Sequence, residues 1–245
     1  AAVHELDAYV LNHNFGDTLR RQDEHYYRKI HLQESTQHAG EGIASPHDRV
    51  AFKHEIHPQD MAVDAYARAS FCDSLSSDGG APMALVHYEG AFQNKGLHCH
   101  IDTLGGRIEK HIALDGNRLT AAYRFEGHQH GFFSTEINLA MPSCDGPAGR
   151  YVADGAVVCG FGEELIREEL AEIALEDDVM GGRVVLRCDR PAHFRAVPHF
   201  TVSQSEAGFE KIMQAVTITL QWPMGTPLKK LGVSLEVLKT GEPMA

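Results

Sequence analysis

Cysteine is sparse in this chain and badly spaced for any structural role. Cys72, Cys99, Cys144, Cys159 and Cys188 are odd in number, lie far apart and contain no C-x-x-C pair. This excludes a disulfide framework or a zinc ribbon and leaves free, mostly buried thiols. Long apolar runs are also missing. No stretch approaches the about 18 residues that span a bilayer, and the first residues, AAVHELD, carry neither the basic nor the apolar region of a secretory leader. A cytoplasmic protein with no membrane partner is expected. Positive charge is short as well: 22 Lys and Arg stand against 34 Asp and Glu, a formal net charge of -12 that repels phosphate backbones and argues against a nucleic-acid partner. The nucleophile elbow G-x-S-x-G, the phosphate loop and the dinucleotide fingerprint G-x-G-x-x-G are absent, so hydrolase-elbow and nucleotide chemistry have no anchor and no cofactor is expected.

What is present is strand-forming. From Met83 to Ala140 short β-capable runs alternate with Gly-containing turns, and they recur at the spacing of an antiparallel sandwich or barrel rather than of βαβ units. Asp115-Gly116 between two alternating runs predicts a two-residue hairpin. Val3–Leu11 is read as a further strand, residues 14–32 as a short helix or turn-rich excursion, and residues 33–48 as a long loop. Glu163–Asp178, with Leu165, Ile166, Leu170, Ile173 and Leu175, is read as a short amphipathic helix. Pro191 suits an edge or a strand start. Thr201–Trp222 is read as a polar turn leading into the penultimate strand, with Ser203, Ser205 and Glu206 capping the turn. The predicted fold is therefore an all-β antiparallel sandwich with one or two short helices, a single domain over residues 1–245.

Sixteen histidines raise the question of a metal. His98 and His100 in LHCHID, and His128 and His130 in GHQHGFF, are spaced so that each pair shares one strand face, with Asp102 or Glu136 available as an oxygen ligand. H-x-H alone fixes no third ligand, so the metal stays undetermined. The same pairs with a carboxylate would suit acid/base work on a sugar ring oxygen, the chemistry of an aldose mutarotase. A stand-alone sugar epimerase or a His-dependent metal enzyme on this sandwich is the alternative reading. The acidic pairs Glu163-Glu164 and Glu168-Glu169 are read as a solvated helix face.

Three stretches in order carry a family resemblance. They are HELDAYVLNHNFGDTLRRQDEHYYRKI, with Glu5-Leu6-Asp7, Asp17-Thr18-Leu19, Arg20-Arg21 and Glu24; the segment with Tyr66, Arg68, Ala69, Ser70, Phe71 and Asp73; and TVSQSEAGFEKIMQAVTITLQW. Together they resemble the C-terminal β-sandwich of family 57 glycoside hydrolases, a group that includes 4-α-glucanotransferases and α-amylase-like enzymes. The resemblance implies a mutarotase-like supersandwich with no catalytic residue of its own, because the family's catalytic carboxylates lie in an N-terminal barrel. It implies two partners, that barrel in the same polypeptide and an α-glucan oligosaccharide, and, with Ala1 where a Met would start a chain, a fragment of a longer enzyme. Sugar contact needs aromatic faces and planar polar groups. Tyr88, His98, His100, Tyr123, His128, His130, Glu136 and Trp222 are the candidates, although Trp222 closes an alternating strand and equally suits a core.

Overall fold

The computed structural model describes residues 19–28, 30, 55–93, 96–127, 130–141, 148–205, 208–224 and 228–239. The predicted strand at residues 3–11, the loop at 33–48 and the turn residue Glu206 lie outside them. A 3₁₀ turn, Pro58–Met61, comes before the first strand, with Pro at its first position where the missing N–H costs nothing. Thirteen strands follow among the described residues, all paired antiparallel in one sheet that folds on itself into two layers. Among the described residues no helix is long and apolar enough to cross a membrane.

The first layer holds β1 (Ser70–Ser76), β2 (Met83–Ala84), β7 (Phe132–Leu139) and β12 (Gly208–Pro223), in the order β2-β1-β7-β12. The second holds β3 (Glu89–Gln93), β4 (Gly96–Thr103), β5 (Gly106–Asp115), β6 (Arg118–Gly127) and β13 (Lys230–Lys239), in the order β13-β6-β5-β4-β3. The 24-residue β11 (Gly182–Ser205) joins them: it pairs with β13 through Cys188 and with β12 from His193 onward. Pro191 sits at this change of partner, where a missing N–H breaks no ladder. The Trp222 indole donates to the Arg190 carbonyl there at 3.0 Å, satisfying an acceptor that the ladder leaves open. β8 (Gly149–Ala153), β9 (Ala156–Gly160) and β10 (Leu165–Asp177) extend from β11.

Alternation builds the core. Phe133, Ile137 and Leu139 of β7, with Ile218, Leu220 and Trp222 of β12, face inward onto Tyr123 and Phe125 of β6, and the Phe133 ring meets both β6 rings edge-on at 5.1 and 5.0 Å.

The structure corrects three expectations. Glu163–Asp178 is not a helix but the 13-residue strand β10. Register shifts between Arg167 and Leu170 and between Leu170 and Glu172, with Glu169 at φ 53°, let apolar residues at uneven spacing turn the same way, which imitates a helical period. The β5–β6 turn lies one residue later than predicted: Asp115 pairs with Arg118, so Gly116 (φ 58°) and Asn117 are its central residues. Thr201, Ser203 and Ser205 belong to β11 rather than to a turn, paired with Ile212, Glu210 and Gly208; the Ser205 hydroxyl acts as a cap, donating to the Gly208 carbonyl at 3.1 Å.

The β10–β11 hairpin is held by a buried carboxylate. Asp177 Oδ1 accepts the Val179 and Met180 amides at 2.9 and 3.0 Å. Asp177→Ala leaves both donors open and is expected to cost about 2 kcal/mol, read as a lower urea midpoint at unchanged m-value.

Candidate cleft on the first layer

The outward face of the first layer is polar and continuous. Cys72 and Ser74 of β1 pair with Glu136 and Ser134 of β7, which pair in turn with Thr219 and Gln221 of β12. Because strand side chains alternate, these six residues share one side, opposite the core side chains of the same strands. One end of this face is covered by the chain before β1. There Asp64 takes paired hydrogen bonds from Arg68 (2.9 and 2.7 Å) and from Arg21 (3.2 and 2.7 Å), plus the Arg21 amide at 2.9 Å. Burial alone would raise the Asp64 pKa, but the bonds from Arg68 and Arg21 outweigh it and hold the carboxyl well below the usual carboxylate range.

Arg68 also reaches into the sheet. Its Nη1 donates to Thr217 Oγ1 at 3.3 Å and lies 3.6 Å from Glu136 Oε1. Thr217 donates to Asn138 Oδ1 at 2.7 Å, and Asn138 Nδ2 donates to the same Glu136 oxygen at 2.8 Å. Glu136 is thus oriented from two sides while its carboxylate stays about one-third exposed. Buried His199 donates from Nε2 to the Leu19 carbonyl at 2.6 Å; burial, reinforced by the positive charge of Arg68, pushes its pKa down to about 4, so it is neutral at pH 7.

Between the layers, next to this face, lies a buried ionic cluster. Lys110 of β5 is in the core phase of its strand, flanked by Ile108 and Ile112. Its ammonium meets Asp73 Oδ2 of β1 at 2.9 Å and donates to the Phe71 carbonyl. Phe71 is at φ 60°, a left-handed conformation unusual for an aromatic residue, at the register shift in β1. Tyr88 donates to Asp73 Oδ2 at 2.7 Å and Tyr123 to Oδ1 at 2.9 Å. The Lys110 ammonium lies 5.1 Å from the Tyr88 ring centre and 5.7 Å from that of Tyr123. Burial and the Asp73 charge raise both phenols above the ordinary tyrosine value, so they are donors rather than acids.

The face and the cluster meet in one cleft of about 810 Å³, lined among others by Tyr66, Arg68, Asp73, Tyr88, Lys110 and Glu136. Of the sequence candidates, Tyr88 and Glu136 come together here. Tyr123 is 2% exposed, with its hydroxyl committed to Asp73 and Thr135. Trp222 is likewise 2% exposed and stacks on Phe133 in the core, so neither ring offers a face to a ligand.

The histidines lie elsewhere. His98 and His100 do share one face of β4, in a second cleft of about 800 Å³. The neighbour of His98 is not His100 but His111, directly across the strands and stacked at 3.9 Å; burial and His98 lower the His111 pKa. His100 is 4.0 Å from Glu89, while Asp102 is engaged by Arg107 at 2.7 Å. His130 is exposed ahead of β7, and His128 lies outside the described residues. Among the described residues no group of three or more His, Cys, Asp or Glu side chains is placed to hold a metal ion.

The sequence reading missed Arg68 as a site residue, and also Lys110 and Asp73. The signal for Lys110 was legible, because a lysine between two isoleucines at alternate positions of RIEKHIAL is a charge in core phase that needs a buried partner. Which carboxylate meets it depends on a contact between layers.

Residues 1–235 match the family model described as alpha-amylase/4-alpha-glucanotransferase, C-terminal. The chain is 26% identical over 251 residues to the 4-alpha-glucanotransferase of Thermococcus litoralis and 23% identical over 248 residues to that of Thermococcus kodakarensis. Each alignment covers 93% of this chain and 35% of the relative, so the chain spans about a third of their length. The crystal structure of the T. litoralis 4-alpha-glucanotransferase superposes with a TM-score of 0.53 at 22% identity, over 78% of this chain and 32% of that one. The chain therefore belongs to the alpha-amylase/4-alpha-glucanotransferase C-terminal domain family.

Proposed function

We propose that this chain is the non-catalytic C-terminal sandwich of a family 57-type α-glucan-acting enzyme, a glucanotransferase or amylase, that packs on an N-terminal catalytic barrel of the same polypeptide and contacts its oligosaccharide. The observation that carries this is the match over residues 1–235 to a family defined as C-terminal, together with coverage of 35% of the curated relatives. The site chemistry is in keeping with it. Asp73 is consumed by Lys110 and two tyrosines, and Asp64 by two arginines, so among the described residues of the cleft Glu136 has no second free carboxylate beside it to complete an acid/base pair.

The test is to assay the chain alone and the enzyme with and without it. The chain alone is expected to turn over no maltooligosaccharide and to anomerise no aldose, and an enzyme deprived of it is expected to lose thermal stability or soluble yield. Turnover by the chain alone that His98→Ala abolishes would replace this proposal with a stand-alone sugar enzyme. A catalytic segment equally stable without it would remove the packing role.

A further inference from the structure

The geometry points to the first-layer cleft, rather than the histidine face of β4, as a binding site for an uncharged pyranose, with Tyr66 as its stacking platform and Glu136 and Ser134 as its hydroxyl-binding pair. This inference rests on the reading above and specifies where the saccharide sits and what chemistry it has.

Three observations carry it. The first is charge. Arg68 and Lys110, the cations that line the cleft, are matched by Asp64, Glu136 and Asp73, and Arg21 pairs with Asp64 from outside the lining, all through contacts of 2.7 to 3.6 Å, so the cleft holds paired charges and no surplus of positive charge. A phosphate or uronate entering it would displace an internal carboxylate from its cation; a neutral hydroxyl-bearing ring would not. The second is pre-organisation. Asn138 and Arg68 both engage Glu136 Oε1, which leaves Oε2 to accept from a ligand. The Gln221 amide donates to Ser134 Oγ at 3.2 Å, so that hydroxyl keeps its own proton to donate. Acceptor and donor thus lie two residues apart on one strand face, fixed before any ligand arrives. The third is an aromatic surface. Tyr66 lines the same cleft and is 53% exposed, whereas Tyr123 and Trp222 are enclosed. A hydroxylated ring presents an apolar face to such a side chain and hydroxyls to the polar wall.

The 245-residue chain is titrated with maltoheptaose, and separately with glucose 1-phosphate, by calorimetry and by tyrosine fluorescence. Saturable binding of maltoheptaose is expected, weakened at least about tenfold by Tyr66→Ala and by Glu136→Gln, with no competition from glucose 1-phosphate. Far-UV dichroism and the melting temperature establish that each variant is folded, and exposed Tyr66 provides the variant least able to disturb the sheet. Tighter binding of glucose 1-phosphate than of maltoheptaose overturns the neutrality argument. Loss of binding with His98→Ala but not with Tyr66→Ala moves the site to the β4 face and overturns the location. Absence of any maltoheptaose binding overturns this inference and with it the oligosaccharide contact, whereas packing on a barrel is judged separately, by the stability of the enzyme lacking this domain.

Discussion

Lys110→Ala is expected to destabilise the fold by about 3–5 kcal/mol, because it strips the cation from a buried carboxylate instead of removing the pair. Asp73 would keep only two phenol donors, and the Phe71 carbonyl, presented to the ammonium by a left-handed backbone, would lose its partner. For a domain of this length the loss corresponds to a melting temperature lower by about 6–20 °C. Removing both charges differs in kind. Lys110→Met combined with Asp73→Leu takes away the unpaired ion as well as the bridge, so much of the loss is expected to be recovered, leaving the Tyr88 hydroxyl and the Phe71 carbonyl without these partners as the main residual cost, since Tyr123 keeps Thr135. Scanning calorimetry of the single and double variants reads the difference. A double variant as unstable as the sum of the two singles would show that Lys110 and Asp73 do not act as a pair.

Acid is expected to weaken the fold in two stages, and His199 sets the first. Its ring is 3% exposed and its pKa falls from 6.5 to about 4 in the folded chain. The folded state therefore favours the neutral ring. Above pH 6.5 the ring is neutral in both states and costs nothing; between about pH 6.5 and 4 the unfolded chain takes up a proton that the folded chain refuses, and stability falls by about 3 kcal/mol. Below about pH 4 both states carry the proton and this contribution is constant. Groups facing the ring reinforce the direction: Arg68 and Arg21 oppose its protonation, and Asp64, which favours it, is already held by those two arginines. The second stage belongs to Asp64. Its depressed pKa contributes stability in full above the unfolded value of 3.8 and loses it as pH falls below that value. His199→Gln keeps an N–H for the Leu19 carbonyl and has nothing to titrate, so urea denaturation from pH 7 to 4 is expected to lose the first stage and keep the second. An unchanged slope across pH 6.5 to 4 in that variant would assign the first stage to another group.

The all-β class was legible because alternation and turn chemistry are local. Phe133, Ile137 and Leu139 in FFSTEINL, and Ile218, Leu220 and Trp222 in TITLQW, show their core faces directly, and the structure places all six inside. The same rule failed at β10. Two bulges there shift which residues face inward, and a bulge is stabilised by strands paired on either side, which no local window contains. At the site, the structure brings the candidates Tyr88 and Glu136 into one cleft, a juxtaposition that no local pattern shows, whereas His98 and His100 share a face of β4 where, among the described residues, no group of three or more His, Cys, Asp or Glu side chains is placed to hold a metal ion.

By itself the sequence determined the strand-rich class, the core faces of the regular strands, the lack of an apolar run long enough for a bilayer-spanning helix, and the family, since these depend on residue order and on interactions a few positions long. Only the tertiary structure decided that Lys110 meets Asp73 across 37 residues, that Arg68 and Asn138 orient Glu136, and that Trp222 closes a core rather than a cleft. The Lys110 and Trp222 contacts join different strands, and Arg68 reaches Glu136 from the chain before β1; burying a charge or an indole N–H forces the chain to find whichever partner the folded sheet brings within reach.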